Sequence, residues 1–331
     1  MEVRYGLVVF SVFMAILTLS LVMGRAGRYY DDEQLESLLS LKREEFSSSP
    51  YSKYDLKDIY ISVKTSYQFH ETRIPLILQT WFTLARQHIW FFTDKKDRDL
   101  ETKTNGHLIS TNCGTTHQRQ DLCCKMAAEF DAFMESGRKW FCHFDDDNYV
   151  NVFALLRELQ KYDHREEWYL GKPSLPGPFE MMDRFNTKNK IHFRFATGGA
   201  GICISHALAN KMFETIGNGK FTSIGERIRL PDDVTFGYII DNLFKTKLTV
   251  IDKFHSHLEP QRFIDVDNDE EKFRNQISFG YHRYGTEMNS LNIDGIFNEE
   301  DDPSRFKSLH CKLFPNFNWC PKKQRKNRYH R

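Results

Sequence analysis

The chain has 331 residues, with 46 Lys and Arg against 45 Asp and Glu. This balance lacks the basic excess of a nucleic-acid-binding domain, and length with 40% hydrophobic residues suits one large or two ordinary folded domains. The 28 Phe residues are read as packing, not as a sugar-stacking surface.

Residues 6–24 are apolar and carry no charge. A helix over them, at about 1.5 Å per residue, would reach roughly 28 Å, one hydrocarbon core. The apolar part of a cleaved signal peptide runs only about 7–15 residues, although Gly24, Ala26 and Gly27 leave cleavage open. Arg4 precedes the run and Arg25 and Arg28 follow it, so charge does not fix the orientation. The reading is a cytoplasmic N-terminus over 1–5 and a transmembrane signal anchor over 6–24, with the bulk of the chain in the lumen. A polar stem over 25–55, a folded domain over 56–321 and a basic, solvated tail over 322–331 complete it. Of seven cysteines, six would pair in a lumenal protein and one would be left over. Spacing suggests Cys311 with Cys320, and Cys113 with either Cys123 or Cys124.

Within the folded domain, strands are expected over 58–63, 88–93 and 107–110. A helix over 71–86 has Pro75 in its first turn and Ile74, Ile77, Leu78, Trp81 and Leu84 at helical spacing. A second helix, over 118–136, puts Leu122, Met126, Phe130 and Phe133 on one face. A strand then runs into Asp145, Asp146 and Asp147, followed by a helix with Tyr149, Val152, Phe153, Leu156 and Leu159 inward. Beyond a loop over 173–178, a strand is expected over 191–197, then a glycine turn over 198–201 and Ile202-Cys203-Ile204. Helices over 206–216 and 232–244 and a strand over 248–251 complete the pattern. Strands alternating with helices imply an α/β fold with a largely parallel, doubly wound sheet.

Four features could carry chemistry. Three adjacent carboxylates at a strand end repel one another and call for a cation, and their hard oxygens suit a divalent metal; the plainer explanation is that Asp147 or Asn148 caps the following helix while its neighbours face water. His255-Ser256-His257 follows a strand, so alternation would turn both imidazoles to one side; an Asp and a His together favour Mn²⁺ over Mg²⁺. Asp232 and Asp233 after Pro231 are explained by a helix cap and dipole, or one of them faces a cleft as general base. Gly198, Gly199 and Gly201 fit neither a Walker nor a dinucleotide fingerprint. A phosphatase of the haloacid-dehalogenase type would carry Thr or Val where Tyr149 stands. A metal-dependent glycosyltransferase needs both the Asp-x-Asp and a distant base, and this chain offers both.

Phe141-Cys142-His143-Phe144-Asp145-Asp146-Asp147-Asn148-Tyr149-Val150-Asn151, Phe195-Ala196-Thr197-Gly198-Gly199-Ala200-Gly201, Arg227-Ile228-Arg229-Leu230-Pro231-Asp232-Asp233 and Phe254-His255-Ser256-His257-Leu258-Glu259 resemble the Fringe family. Asp302-Pro303-Ser304-Arg305-Phe306 and Trp319-Cys320-Pro321 do so too, in the same order, from about Asp58 to Pro321. The resemblance implies a GT-A-type glycosyltransferase fold with a Rossmann-like sheet and an N-terminal transmembrane helix. It also implies a single-pass type II enzyme of the Golgi membrane with its catalytic domain in the lumen. The reaction implied is transfer of N-acetylglucosamine from UDP-GlcNAc, in β1,3 linkage, to fucose O-linked on EGF-like repeats of Notch or its ligands. Asp147 and His257 would bind Mn²⁺, Asp146 and Arg73 the donor, and Asp233 would be the catalytic base. The pairings implied are Cys113–Cys124, Cys142–Cys203 and Cys311–Cys320, with Cys123 left over. A related β1,3-galactosyltransferase and a non-catalytic glycan- or Notch-binding protein of the same fold remain alternatives. No role attaches to Asp145.

Overall fold

In the computed structural model of the chain, two neighbouring strands climb from apolar to charged. On one face of β1 (Ile59–Lys64) stand Tyr60, Ser62 and Lys64. The facing positions on the strand over Trp140–Asp145 are Phe141, His143 and Asp145, in parallel register with them. Side chains alternate along a strand, so each step of two residues toward the C-terminal ends replaces an aromatic ring by a polar and then a charged group. A site is therefore built where both strands stop.

The structure describes residues 53–321 apart from Phe185, Thr187, Asp294 and Gly295. Lys53–Pro315 forms one compact unit; in the short segment over 316–321 the Phe317 and Trp319 rings meet edge to face. The anchor over 6–24, most of the stem over 25–55 and the tail over 322–331 lie outside the described residues. Among the described residues no helix is long and apolar enough to cross a membrane.

From β1 the chain runs through α1 (Ile74–Gln79), β2 (Ile89–Thr93), α2 (Arg98–Lys103), β3 (Leu108–Ser110), α3 (Arg119–Ser136) and β4 (Trp140–Asp145). There follow β5 (Asn148–Val150), α4 (Val152–Leu159), β6 (Tyr169–Gly171), the hairpin β7 (Phe179–Met182) and β8 (Lys190–Phe193), and β9 (Ile202–Ser205). Next come α5 (His206–Ile216), α6 (Lys220–Ile228), α7 (Asp232–Gly237) with a π-helical turn over Tyr238–Leu243, and β10 (Leu248–Val250). The last are α8 (Glu270–Arg274), β11 (Ser278–Gly280), β12 (His282–Tyr284), β13 (Glu287–Asn289) and α9 (Phe306–Leu313).

The main sheet has seven strands in the order β10-β6-β9-β4-β1-β2-β3. All run parallel except β9, which opposes both neighbours. The fold is thus mixed α/β around a mainly parallel sheet. Open sheets of this kind place ligands at the C-terminal strand ends. Because β9 is reversed, its lead-in, Thr197 to Gly201, arrives at that same edge.

Helix α3 covers the face that carries Tyr60, Phe92 and Phe141, where Phe133 lies 6.1 Å from Tyr60 and 5.3 Å from Phe141. Helices α5, α6 and α7 complete this core through Leu208, Met212, Phe221, Ile228 and Phe236. Each fully buried side chain of this size is worth on the order of 1.5–3 kcal/mol. On the opposite face Phe91 meets Phe82 at 5.6 Å. Cys142 and Cys203, Cα partners across β4 and β9, are joined by a disulfide. A second bridge ties Cys113 to Cys124. Cys311 and Cys320 are each disulfide-bonded, and among the described residues Cys123 is free and buried.

Several expected elements differ. The helix expected over 71–86 stops at Gln79. There the Thr80 hydroxyl donates back to the Leu76 carbonyl at 2.7 Å and the backbone leaves helical geometry, the bend that such back-bonding produces; 3-10 turns follow. After the Asp triplet the strand β5 intervenes before α4, so Tyr149, expected on the inward face of the helix, stands instead in a strand opposite Phe279. The cap of α4 is Asn151, whose side chain accepts from the Ala154 amide at 3.2 Å, rather than Asp147 or Asn148. The strand expected over 191–197 is β8, the second arm of a hairpin.

Candidate active site

Three backbone segments converge at the C-terminal edge of the sheet: the end of β4 with its carboxylate turn, the glycine lead-in to β9, and the start of α7. Asn148 links the first two, accepting from the Asp145 amide at 3.2 Å while its side-chain amide donates to the Gly199 carbonyl at 2.8 Å. Together with Lys64, Thr65, Arg73, Lys125 and His257 they line a cleft of about 770 Å³.

The three aspartates separate into different environments. Asp145 faces Lys64, whose ammonium lies 3.1 Å from Oδ1. Burial opposes its charge, but Lys64 and His143 hold its carboxyl well below the usual carboxylate range. Asp146 accepts from Thr65 Oγ1 at 2.7 Å and from Arg73 Nη1 at 2.5 Å. Arg73 also stacks over the Phe69 ring at 3.8 Å, so the two residues expected to bind the donor hold one another in place. Asp147 has only distant partners, Arg73 Nη1 at 3.7 Å and His257 Nδ1 at 3.6 Å from its Oδ2. Burial, then the charge of Asp145, pushes its carboxyl up to about 8.

His257 reaches the site because Gly280 of β11 lets the chain pass close. A Cβ there would stand 2.5 Å from the His257 amide nitrogen. The segment is not a strand, and the two histidines part company. His255 turns away, bonding Gln276 at 2.8 Å and Glu259 at 3.1 Å, which corrects the expectation that both imidazoles share a side. Burial lowers the proton affinity of His257, favouring the neutral ring that ligates metals.

The polar atoms between Asp147 and His257 leave a place for a cation. Asp147 Oδ1 and His257 Nδ1 are buried and lack a hydrogen-bond partner, and buried polar groups are rarely left so. The 3.6 Å between the two side chains is too long for a hydrogen bond. A carboxylate and a neutral imidazole fit a divalent ion. Among the described residues no group of three or more His, Cys, Asp and Glu side chains gathers as a metal cluster, so any remaining ligands would be water or substrate oxygens, as with hard cations at phosphate sites.

Across the glycine lead-in stands Asp233, half-buried and open to the cleft. Its Oδ2 accepts from the Gly198 amide at 3.2 Å and its Oδ1 from the Val234 amide at 2.7 Å. Burial, then the neighbouring charge of Asp232, raises its carboxyl to about 6. A Cβ on Gly198 would sit 3.5 Å from the Asp233 Cβ, and one on Gly199 would sit 3.3 Å from the His257 ring. The glycine pair thus separates the two groups without a side chain of its own. Asp232 is no helix cap: it is buried and accepts from Lys64 Nζ at 2.6 Å.

Sequence reasoning missed the support behind these residues. His143 Nδ1 donates to Glu129 Oε2, 2.6 Å away, where Ser62 Oγ also donates at 2.6 Å. The His143 ring is lifted to about 9: burial, the largest influence, opposes its charge, but the charge and hydrogen bond of Glu129 and a hydrogen bond to Asp145 together outweigh it. Lys125 is buried between the Thr65 carbonyl, at 2.9 Å, and Asp94, at 2.8 Å. The available signal was the alternation Tyr60, Ser62, Lys64 beside Phe141, His143, Asp145.

A Fringe family profile, described as Fringe-like, matches residues 54–317. The Fringe glycosyltransferase of Drosophila melanogaster is 55% identical over 270 residues, covering 81% of this chain. The chain spans 64% of that relative's length, a little under two thirds. The β-1,3-N-acetylglucosaminyltransferase lunatic fringe of Bos taurus is 48% identical over 268 residues (80% of this chain, 69% of that one). The radical fringe of Gallus gallus with the same enzyme name is 46% identical over 273 residues, covering 82% and 72% of the two chains. Among solved structures, the glycosyltransferase GlyE of Streptococcus pneumoniae TIGR4 superposes with a TM-score of 0.34 at 15% identity over 59% of this chain and 45% of that one, a likeness too slight to carry weight. The chain belongs to the Fringe family.

Proposed function

We propose that the chain is an inverting glycosyltransferase of GT-A type, with a doubly wound sheet. It transfers N-acetylglucosamine from UDP-GlcNAc in β1,3 linkage to fucose O-linked on EGF-like repeats of Notch or its ligands, acting in the Golgi lumen from a membrane anchor. The observation that carries the reading is the opposition of Asp233 to the Asp147–His257 pair in one cleft. The names of the relatives, β-1,3-N-acetylglucosaminyltransferases, supply the donor sugar and linkage.

In this reading Asp147 and His257 hold Mn²⁺, which when bound offsets the negative charge of a departing diphosphate. Asp146 and Arg73 orient the donor. Asp233 takes the proton from the fucose 3-hydroxyl as that oxygen bonds to the anomeric carbon. The bond from that carbon to the phosphate oxygen breaks, and the diphosphate leaves with the electron pair. One displacement on an α-linked donor inverts the centre and gives a β product. A carboxyl raised to about 6 is mostly ionised at neutral pH yet a stronger base than an exposed aspartate, the compromise general base catalysis favours.

The test is to incubate the full chain with Mn²⁺, a panel of UDP-sugars and an EGF-like repeat with and without O-fucose. Addition of N-acetylglucosamine to the fucosylated repeat alone is expected. Galactose addition would move the enzyme to the galactosyltransferase alternative, and no transfer from any donor would leave a binding protein.

A further inference from the structure

Lys64 closes β1 where the carboxylate turn meets the start of α7. The parallel register makes it the Cα partner of Asp145. Its ammonium bridges Asp145 Oδ1 at 3.1 Å and Asp232 Oδ2 at 2.6 Å, with the three side chains 11%, 27% and 5% exposed. Burial opposes the ammonium's charge, but Asp145, Asp232 and Glu129 hold Lys64 protonated well above its usual range. One carboxylate would suffice to pair a buried ammonium. The second, Asp232, sets an anion directly before Asp233, where it disfavours the ionised base unless something neutralises it.

We propose that Lys64 is a positioning residue for proton transfer: by neutralising Asp232 it holds the start of α7 to the sheet edge and keeps the Asp233 carboxylate ionised in the cleft. This rests on Asp233 being the base. The groups that face Asp233 come from four directions: Asp232 on its own helix, Lys64 on β1, the Gly198 amide with His143 behind it, and Tyr169 on β6. Asp232 raises the proton affinity of Asp233, and the Gly198 amide and Lys64 lower it. Removing Lys64 and removing Asp232 therefore act on the base with opposite sign.

The experiment is the pH profile of kcat/KM at saturating Mn²⁺ for the full chain and its Lys64→Met, Lys64→Arg, Asp232→Asn and Asp233→Asn variants. Lys64→Met is expected to move the acid limb up by about one pH unit, within the range that a nearby charge shifts a carboxylate. Asp232→Asn should move it down, and Lys64→Arg should leave it near the wild-type midpoint. An unmoved limb in folded Lys64→Met, or shifts of the same sign in Lys64→Met and Asp232→Asn, would overturn the proposal. Should Lys64→Met not fold or show no turnover, Lys64→Gln takes its place in the same assay: an upward shift supports the role and an unchanged limb refutes it. Near-normal turnover in Asp233→Asn would instead remove the base on which the proposal rests.

Discussion

Asp147 and Asp233 are both carboxylates whose proton affinity burial raises, to about 8 and about 6, yet their surroundings suit them to different work. Asp147 has an orphaned oxygen, Oδ1, which fits the proposal that it holds a cation. Asp233 accepts two backbone amides, which orient it without neutralising it. Asp147→Asn should weaken Mn²⁺-dependent UDP binding at least tenfold, since even indirect partners of a metal ligand are worth about 10–100-fold. Calorimetry with and without Mn²⁺ measures this, and binding equal to wild type would contradict it. For Asp233 the sign is set by its raised carboxyl: the proposed base is ionised above about pH 6 and protonated below. With Mn²⁺ saturating, kcat/KM should fall about tenfold per unit below that pH; a flat profile from pH 7 to 5 would contradict it.

At the scale of elements, β4 and α3 share a buried ion pair that holds the charged ends of the strands in line. His143 and Glu129 are both shielded from solvent. The His143 proton affinity rises from 6.5 to about 9 on folding, so its contribution is fully present below about pH 6.5 and is lost as pH rises through about 9. The stabilisation at neutral pH and below is on the order of 3 kcal/mol. Denaturant unfolding should therefore show stability falling between pH 7 and 9, and His143→Gln should flatten that fall. An identical slope in both proteins would contradict the role of the pair. The long elements, α3 and α5, were legible because their periodicity runs over several turns. Strands of three residues such as β5 and β11 carry no readable period, and α1 is cut short by a threonine hydroxyl that a spacing rule does not weigh. Asp145 had no assignable role for a related reason: its partner Lys64 lies 81 positions earlier, and only the parallel register of β1 and β4 brings them together. Likewise, alternation placed His255 with His257, but the segment is irregular and Glu259 and Gln276 draw His255 away.

Over the whole molecule, two disulfides fasten the regions flanking the cleft. Cys142–Cys203 joins β4 to the reversed strand β9, and Cys113–Cys124 ties the segment before α3 to its second turn. Cys123 sits beside Cys124 yet points into the core, where its thiol lies so close to Gly225 that a Cβ there would approach it to 2.6 Å; burial pushes the thiol up to about 12, which keeps it unreactive. Cys123→Ser should leave both the number of bridges and the transfer rate unchanged, and mass spectrometry finding one bridge fewer would contradict this pairing. The cleft itself depends on three distant stretches of chain meeting at one sheet edge, with Asp233, the proposed base, on one side of a glycine pair and Asp147 and His257, the proposed metal ligands, on the other. That division is the central claim. Its most direct test is the transfer rate of Asp233→Asn at saturating UDP-GlcNAc, Mn²⁺ and O-fucosylated acceptor: a loss of at least about 10²-fold in kcat is predicted, and a near-normal rate would contradict the account.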